Sequence, residues 1–292
     1  MQALVVIKKT NKKILNEKLI TLNIKDPSFI EKLEQSHKEQ TKGLDSLRTV
    51  LTQAGLNFQE VTRDDIWPNL ENFDLIITLG GDGTILSSSR FLENKKIPVL
   101  GIRSSDESVG YLCCLDHSHI KTRLPALLKN IEKQTISLER LYGEITTQKN
   151  KQVITTKPIL NDFLYTHKFP SFTTRYAIAL NGRIEEHKSS GIWFATPTGS
   201  TAAIGAAGGK KQKMNEKVFQ YKTRELYSPK PGLYQLSGGF YDPDCDELVI
   251  TNYSAEAILA ADGQHGSLYL GLGDKITFKR ALPFCLVSSK EK

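Results

Sequence analysis

The chain is poor in cysteine: Cys113, Cys114, Cys245 and Cys285 are its four in 292 residues. Adjacent Cys113 and Cys114 rarely pair with each other, and no CxxC spacing occurs. A reduced compartment with buried thiols is the simplest account. No apolar run approaches the ~20 residues of a membrane span. Residues 3–7 (Ala-Leu-Val-Val-Ile) are too few for a signal-peptide core and have no basic region before them. They read as a first β-strand, and a cytoplasmic protein is expected, with no membrane partner. GxxxxGK[ST] is missing, which excludes a Walker P-loop. GxSxG, HExxH and a kinase HRD set are missing too. The net charge of +7 is spread along the chain, without a compact basic motif. That distribution describes a solvated surface, and no nucleic-acid partner is expected. His117 and His119 form an HxH pair without a nearby third ligand, so they read as exposed residues at a helix start.

What is present is ordinary in bulk. Hydrophobic residues make 39% and charged residues 24% of the chain, as in a globular protein of one large domain or two smaller ones. Residues 1–135 alternate strand-like and helix-like segments. Strands are predicted at 3–7, 58–61, 74–79 and 97–102, and helices at 43–54, 85–92 and 118–131. The run at 74–79 is apolar without alternation, as in a strand buried on both faces. Residues 26–39 are polar and fit either a helix or a mobile loop. This βαβ rhythm predicts an open α/β domain with a parallel sheet. After residue 136 short β-like runs dominate, at 136–146, 152–154, 161–166, 174–180, 191–196 and 247–253. Asn181-Gly182 between two runs is a hairpin signal. A second, sandwich-like β domain over 136–274 follows from this texture. The strands at 275–280 and 284–288 belong to it or return to the first domain. Residues 208–239 carry seven Lys or Arg against two Glu and read as a long loop, either gathering phosphate-bearing ligands or simply solvated.

The most informative string is Leu79-Gly80-Gly81-Asp82-Gly83-Thr84. A β-branched run stops at two glycines, a single carboxylate follows, and a helix opens. Glycines at a strand-to-helix turn let backbone approach a phosphate, and the helix start supplies N–H groups. Gly80, Gly81, Gly83 and Thr84 are the phosphate-binding candidates. Asp82 would repel phosphate, so it fits a role on a hydroxyl or beside a cation. A second string runs Thr196-Pro197-Thr198-Gly199-Ser200-Thr201-Ala202-Ala203. Thr198, Ser200 and Thr201 offer hydrogen bonds, and Ala202 and Ala203 leave room for a flat ring, as a nucleoside pocket requires. A helix is expected from there through Ala207. Asn161-Asp162 can hold two neighbouring sugar hydroxyls. Ala261-Asp262-Gly263-Gln264 reads as a turn.

In order and in register, GGDGT, the Asn–acid pair, TPTGSTA with a trailing GG, and DGQ resemble the NAD kinase family over residues 3–288. The resemblance implies phosphorylation of the 2′-hydroxyl of the adenosine ribose of NAD. It implies ATP as donor, a divalent metal such as Mg2+, and a homodimer or homotetramer. It also implies an active site between the two domains. By motif, Asp82 would be the catalytic carboxylate. Asn161 and Asp162 would hold the nicotinamide-side ribose or its neighbours, and Thr198 to Ala203 would line the adenosine pocket. Lys188, Asp262 and Gln264 would join the NAD-binding set. The family usually has Glu at the position of Asp162 and Tyr at that of Ala203. The segments Ser108-Val109-Gly110-Tyr111-Leu112 and Lys188-Ser189-Ser190-Gly191 look more like the mitochondrial and plant NADH-kinase branch, which brings NADH into play. Two other readings are a lipid kinase sharing GGDGT and a non-catalytic dinucleotide sensor.

Overall fold

The structure, a computed structural model, describes residues 1–13, 26–230, 232–263 and 266–288. The chain divides into two compact units. Unit 1 is Met1–Ser137 with Cys285–Lys292, and unit 2 is Leu138–Phe284.

Unit 1 contains β1 (Gln2–Ile7), α1 (Pro27–Gln53), β2 (Asn57–Thr62), β3 (Leu75–Gly80), α2 (Asp82–Phe91), β4 (Val99–Arg103) and β5 (Leu115–Asp116). Two short helices follow, α3 (Ile120–Leu128) and α4 (Ile131–Gln134). The strands are parallel in the order β2-β1-β3-β4, and β5 also pairs with β4. Every residue of β3 is buried, so its side chains meet apolar cover on both faces. Leu47, Val50 and Leu51 of α1, with Leu124 and Leu127 of α3, supply part of that cover.

Residues 26–39 belong to α1, which runs unbroken for 27 residues. Asp26 caps it by accepting the Ser28 amide at 2.9 Å, and Pro27 fills the first helical position. The apolar stripe occupies only the C-terminal half, which is why periodicity leaves the first half undecided. The helix expected over 118–131 is interrupted: a 3₁₀ turn at His117–His119 precedes α3, and α4 is a separate single turn.

Unit 2 is built from strands. They are β6 (Thr135–Thr146, starting in unit 1), β7 (Val153–Thr155), β8 (Asp162–His167), β9 (Thr174–Leu180), β10 (Arg183–Ser189) and β11 (Ile192–Ala195). Then come β12 (Phe219–Thr223), β13 (Gly238–Tyr241), β14 (Leu248–Asn252), β15 (Ala257–Ala261), β16 (Ser267–Leu270) and β17 (Lys275–Val287). One sheet runs β13-β12-β11-β8-β15-β16, all antiparallel. The other holds the antiparallel run β10-β9-β14-β17. Side chains from both sheets fill one core, in which the Phe278 ring lies 5.7 Å from Phe163 and 4.1 Å from Phe194. Such ring pairs are worth about 0.5–1.5 kcal/mol beyond the area they bury. Asn181 and Gly182, with φ of 50° and 84°, make the two-residue turn between β9 and β10.

Three expectations need correction. The two final strands are one, β17, whose last residues Leu286 and Val287 pair with β4 in unit 1. The basic stretch 208–239 is not a continuous loop. It contains β12, because Phe219 and Tyr221 have core positions to fill. Its Lys217 forms an ion pair with buried Glu139. Of the four cysteines expected to be buried, only Cys114 is; Cys113 and Cys285 are half-buried and Cys245 is exposed. Among the described residues no helix is long and apolar enough to cross a membrane.

Candidate active site

In unit 1 the GGDGT string is the turn between β3 and α2. Gly80 has no space for a side chain: a Cβ there would lie 2.1 Å from Thr84 Oγ1 and 3.2 Å from Lys8 Cβ. Gly81 is the extended N-cap of α2, and its carbonyl accepts the Thr84 amide at 2.9 Å. That bond closes the turn, so the Thr84 amide is structural. The Thr84 hydroxyl is buried without a hydrogen-bond partner.

Asp82 is the first residue of α2. Its Oδ1 accepts the Leu112 amide at 2.7 Å, and its Oδ2 accepts the Tyr111 amide at 3.0 Å. Both donors come from the loop after β4. A carboxylate gripped through both oxygens has a fixed plane, while each oxygen keeps a lone pair for another partner. Gly110 turns that loop at φ +63°, where a Cβ would lie 2.6 Å from Arg103 Cδ. Arg103 anchors the same loop through Asp116 at 2.5 Å and the Ser108 carbonyl at 3.2 Å.

Two cations flank the turn. Lys8 follows β1, next to Gly80, and the nearest side-chain atom to a Cβ on Gly83 would be Arg63 Nη1, at 3.9 Å. Burial, and then the Arg63 charge, holds the Lys8 ammonium below its usual range. Like charges gathered at the carboxyl ends of parallel strands, beside a glycine turn, suit an anion. No motif in the sequence marks Lys8 and Arg63. The available signal was their position immediately after β1 and β2.

In unit 2 a second cluster forms where β8 starts and β11 ends. Asn161 and Asp162 lie there, with Ala195 paired to Asp162. The Asn161 carbonyl accepts the Thr196 amide at 2.9 Å, and Thr196 Oγ1 accepts the Gly199 amide at 3.1 Å. Gly199 touches Asn161 so closely that a Cβ would sit 2.1 Å from the Asn161 carbonyl oxygen. The TPTGS segment is thus folded onto the Asn–Asp pair. Thr198 Oγ1 is buried without a hydrogen-bond partner, whereas Ser200 Oγ accepts the Gln212 amide at 3.0 Å. Thr201 is exposed, and Ala202 and Ala203 are half-buried. The expected helix through Ala207 is broken at Ala202 into a 3₁₀ turn (Thr198–Thr201) and one α-turn, α5 (Ala203–Ala206).

Asp262 is reached from the end of β15. Its carboxylate accepts the amides of Leu160 at 3.0 Å, Asn161 at 2.9 Å and Asp162 at 3.2 Å. Burial, and then the Asp262 charge, pushes the Asp162 carboxyl up to about 7, against an opposing bond from the Ala203 amide. Lys188 is exposed on β10 and leads, through Ser190 and Gly191, into the other end of β11. It is not among the residues gathered around Asn161. Gln264 lies outside the described residues.

A divalent metal was implied by the resemblance. Magnesium takes oxygen ligands and is commonly held by one or two carboxylates plus substrate phosphates and water. Asp82 is a lone carboxylate in the turn with lone pairs to spare, while the nearby Lys8 and Arg63 attract the triphosphate rather than the metal. Those residues fit a metal that arrives with a triphosphate.

The two units and their clusters define a nucleotide-handling protein with an α/β half and a β half. Residues 6–131 match the ATP-NAD kinase N-terminal domain. The chain is similar to the NAD kinase of Nitrosococcus oceani, with 30% identity over 261 residues, 86% of this chain and 84% of that protein. It is similar to a probable NADH kinase of Oryza sativa subsp. japonica, with 29% identity over 288 residues, 91% of this chain and 86% of that protein. In fold it is similar to yeast NADH kinase complexed with NADH, with a TM-score of 0.73 and 17% identity over 100% of this chain and 84% of that one. The chain belongs to the NAD kinase family.

Proposed function

We propose that the protein transfers the γ-phosphoryl group of ATP to the 2′-hydroxyl of the adenosine ribose of NAD or NADH, giving NADP(H) and ADP. The observation that carries this reading is the Asp82 carboxylate in a glycine turn, with both oxygens fixed by the Tyr111 and Leu112 amides. Phosphoryl transfer runs through a loose transition state, so positioning and charge neutralisation dominate it. The O2′–P bond forms as the bond from the γ-phosphorus to the bridging oxygen breaks. A carboxylate is a weak base toward a sugar hydroxyl, so Asp82 orients the O–H and takes its proton late, then releases it to solvent. Lys8, Arg63 and the amides of Gly81 and Gly83 face the phosphates. Asp82 would help hold a divalent cation arriving with ATP, which would add to the neutralisation of the triphosphate. Asn161 and Asp162 hold ribose hydroxyls, and Thr198 and Ala203 line the nucleoside pocket. The protein works as a homodimer or homotetramer in the cytoplasm.

Similarity to a plant NADH kinase supports acceptance of the reduced dinucleotide. The deciding assay mixes purified protein, ATP and magnesium with NAD or NADH and measures 2′-phosphorylated product. Product with either dinucleotide is expected. Dinucleotide binding without product, across metals and phosphate donors, would make the protein a sensor. Phosphorylation of diacylglycerol or a sphingoid base instead would make it a lipid kinase.

A further inference from the structure

We propose that Glu39, Asp106 and His117 of unit 1 form a binding site for a divalent transition cation of the zinc class. One ligating atom from each of the three lies within 4.8 Å of the others. Chain order hides this cluster, which is why the histidine pair reads as lacking a third ligand. Glu39 comes from α1, Asp106 from the loop after β4, and His117 from the 3₁₀ turn before α3.

The fold brings them together by specific means. Gly43 lies one turn beyond Glu39 on α1, and a Cβ there would be 3.2 Å from His117 Cβ. Its bare backbone lets the histidine approach the helix. The loop is stitched to α1 twice: Ser36 Oγ donates to Ser105 Oγ at 3.1 Å, and the Asp106 amide donates to Glu39 Oε2 at 3.1 Å. Gln35 donates to Glu39 Oε1 at 2.6 Å, and Arg103 Nη2 holds Asp106 Oδ1 at 3.0 Å. Such bonds orient ligands while leaving lone pairs for a metal.

The independent sign of a missing partner is His117 itself. Its Nδ1 is buried and makes no hydrogen bond. A buried nitrogen left unsatisfied is destabilising unless a ligand completes it. Two carboxylates and an imidazole give three N/O ligands with an open position, a set that zinc accepts. The imidazole disfavours magnesium and calcium, which prefer oxygen alone. The same loop continues to Tyr111 and Leu112, whose amides grip Asp82. A cation at this site therefore clamps α1 to the segment that orients the carboxylate.

The test needs no nucleotide, so its failure would leave the kinase reading standing. Metal-free full-length protein is titrated with Co2+, read by its visible absorption, and then with Zn2+ as competitor. The same titration is run on Glu39→Gln and His117→Ala. The expected result is one equivalent bound by the wild type, with affinity at least ~10-fold weaker in each variant. If His117→Ala fails to fold, Glu39→Gln, which keeps the side chain's shape, decides alone. No metal bound by the wild type, or equal affinity in the folded variants, would overturn the site. So would binding that survives in both and disappears in Cys245→Ser. Zinc should also slow hydrogen exchange over residues 104–112 in the wild type alone; zinc bound without that slowing would overturn the link to Asp82.

Discussion

Asp262 accepts the amide of Asn161 at 2.9 Å across 101 residues of chain. With the amides of Leu160 and Asp162 it receives three bonds from one short segment. The DGQ aspartate therefore positions the Asn–Asp pair, which is the pair proposed to hold the dinucleotide. In Asp262→Asn the side-chain NH2 would point a donor at donors. Such a change costs about 1–3 kcal/mol of stability. Thermal unfolding should show the loss, and KM for NAD should rise more than kcat falls.

Asp162 gives a pH dependence of defined sign. Its carboxyl is pushed up to about 7 from 3.8, first by burial and then by Asp262. Between those values the folded chain holds a proton that the unfolded chain has lost. From this group, stability is highest below pH ~4 and falls as pH rises through about 7. Lowered carboxylates such as Glu185 and Asp246 act in the opposite direction at lower pH. Comparing denaturation of the wild type with Asp162→Asn isolates the effect. Their stability difference should move against the wild type by up to ~4 kcal/mol between pH 4 and 8. Dinucleotide affinity should run the other way, tightening as pH rises through about 7, because ionised Asp162 accepts ribose hydroxyls better.

Gly199 touches the Asn161 carbonyl where a Cβ would come to 2.1 Å. Backbone on both sides cannot yield as a flexible side chain can. Gly199→Ala should cost about 1–3 kcal/mol and displace Asn161. A calorimetric titration with NAD should show at least a tenfold loss of affinity, while Asp82 chemistry on any bound dinucleotide persists.

Strands and motif positions were legible because period-two and all-apolar runs are local signals. The β3 run and the Asn181-Gly182 turn are examples. Contacts between distant segments were not. The Leu112 amide that holds Asp82 lies 30 residues downstream, and nothing local marks it. Lys8 and Arg63 look like ordinary surface charges until β1 and β2 place them at one end of a sheet. The break at Ala202, with ψ of −139°, was hidden by its alanine-rich surroundings, which favour helix. The grip of Asp262 on Leu160, Asn161 and Asp162 is not legible in the sequence, because it exists only after β8 and β15 pair.

Lys8 and Arg63 should act on the phosphate donor rather than on the dinucleotide. Arg63→Ala and Lys8→Met should each raise KM for ATP by about tenfold, equivalent to ~1.4 kcal/mol. KM for NAD should change little. Steady-state kinetics with one substrate varied at a time separates the two.

The role of Asp82 is tested most directly by Asp82→Asn, assayed for turnover at saturating ATP and NAD and for NAD binding by calorimetry. Asparagine keeps one acceptor for the Tyr111 and Leu112 amides but cannot take a proton. The expected result is turnover lower by ~10²–10⁴ with NAD affinity retained. A variant that turns over NAD at nearly the wild-type rate would contradict the account.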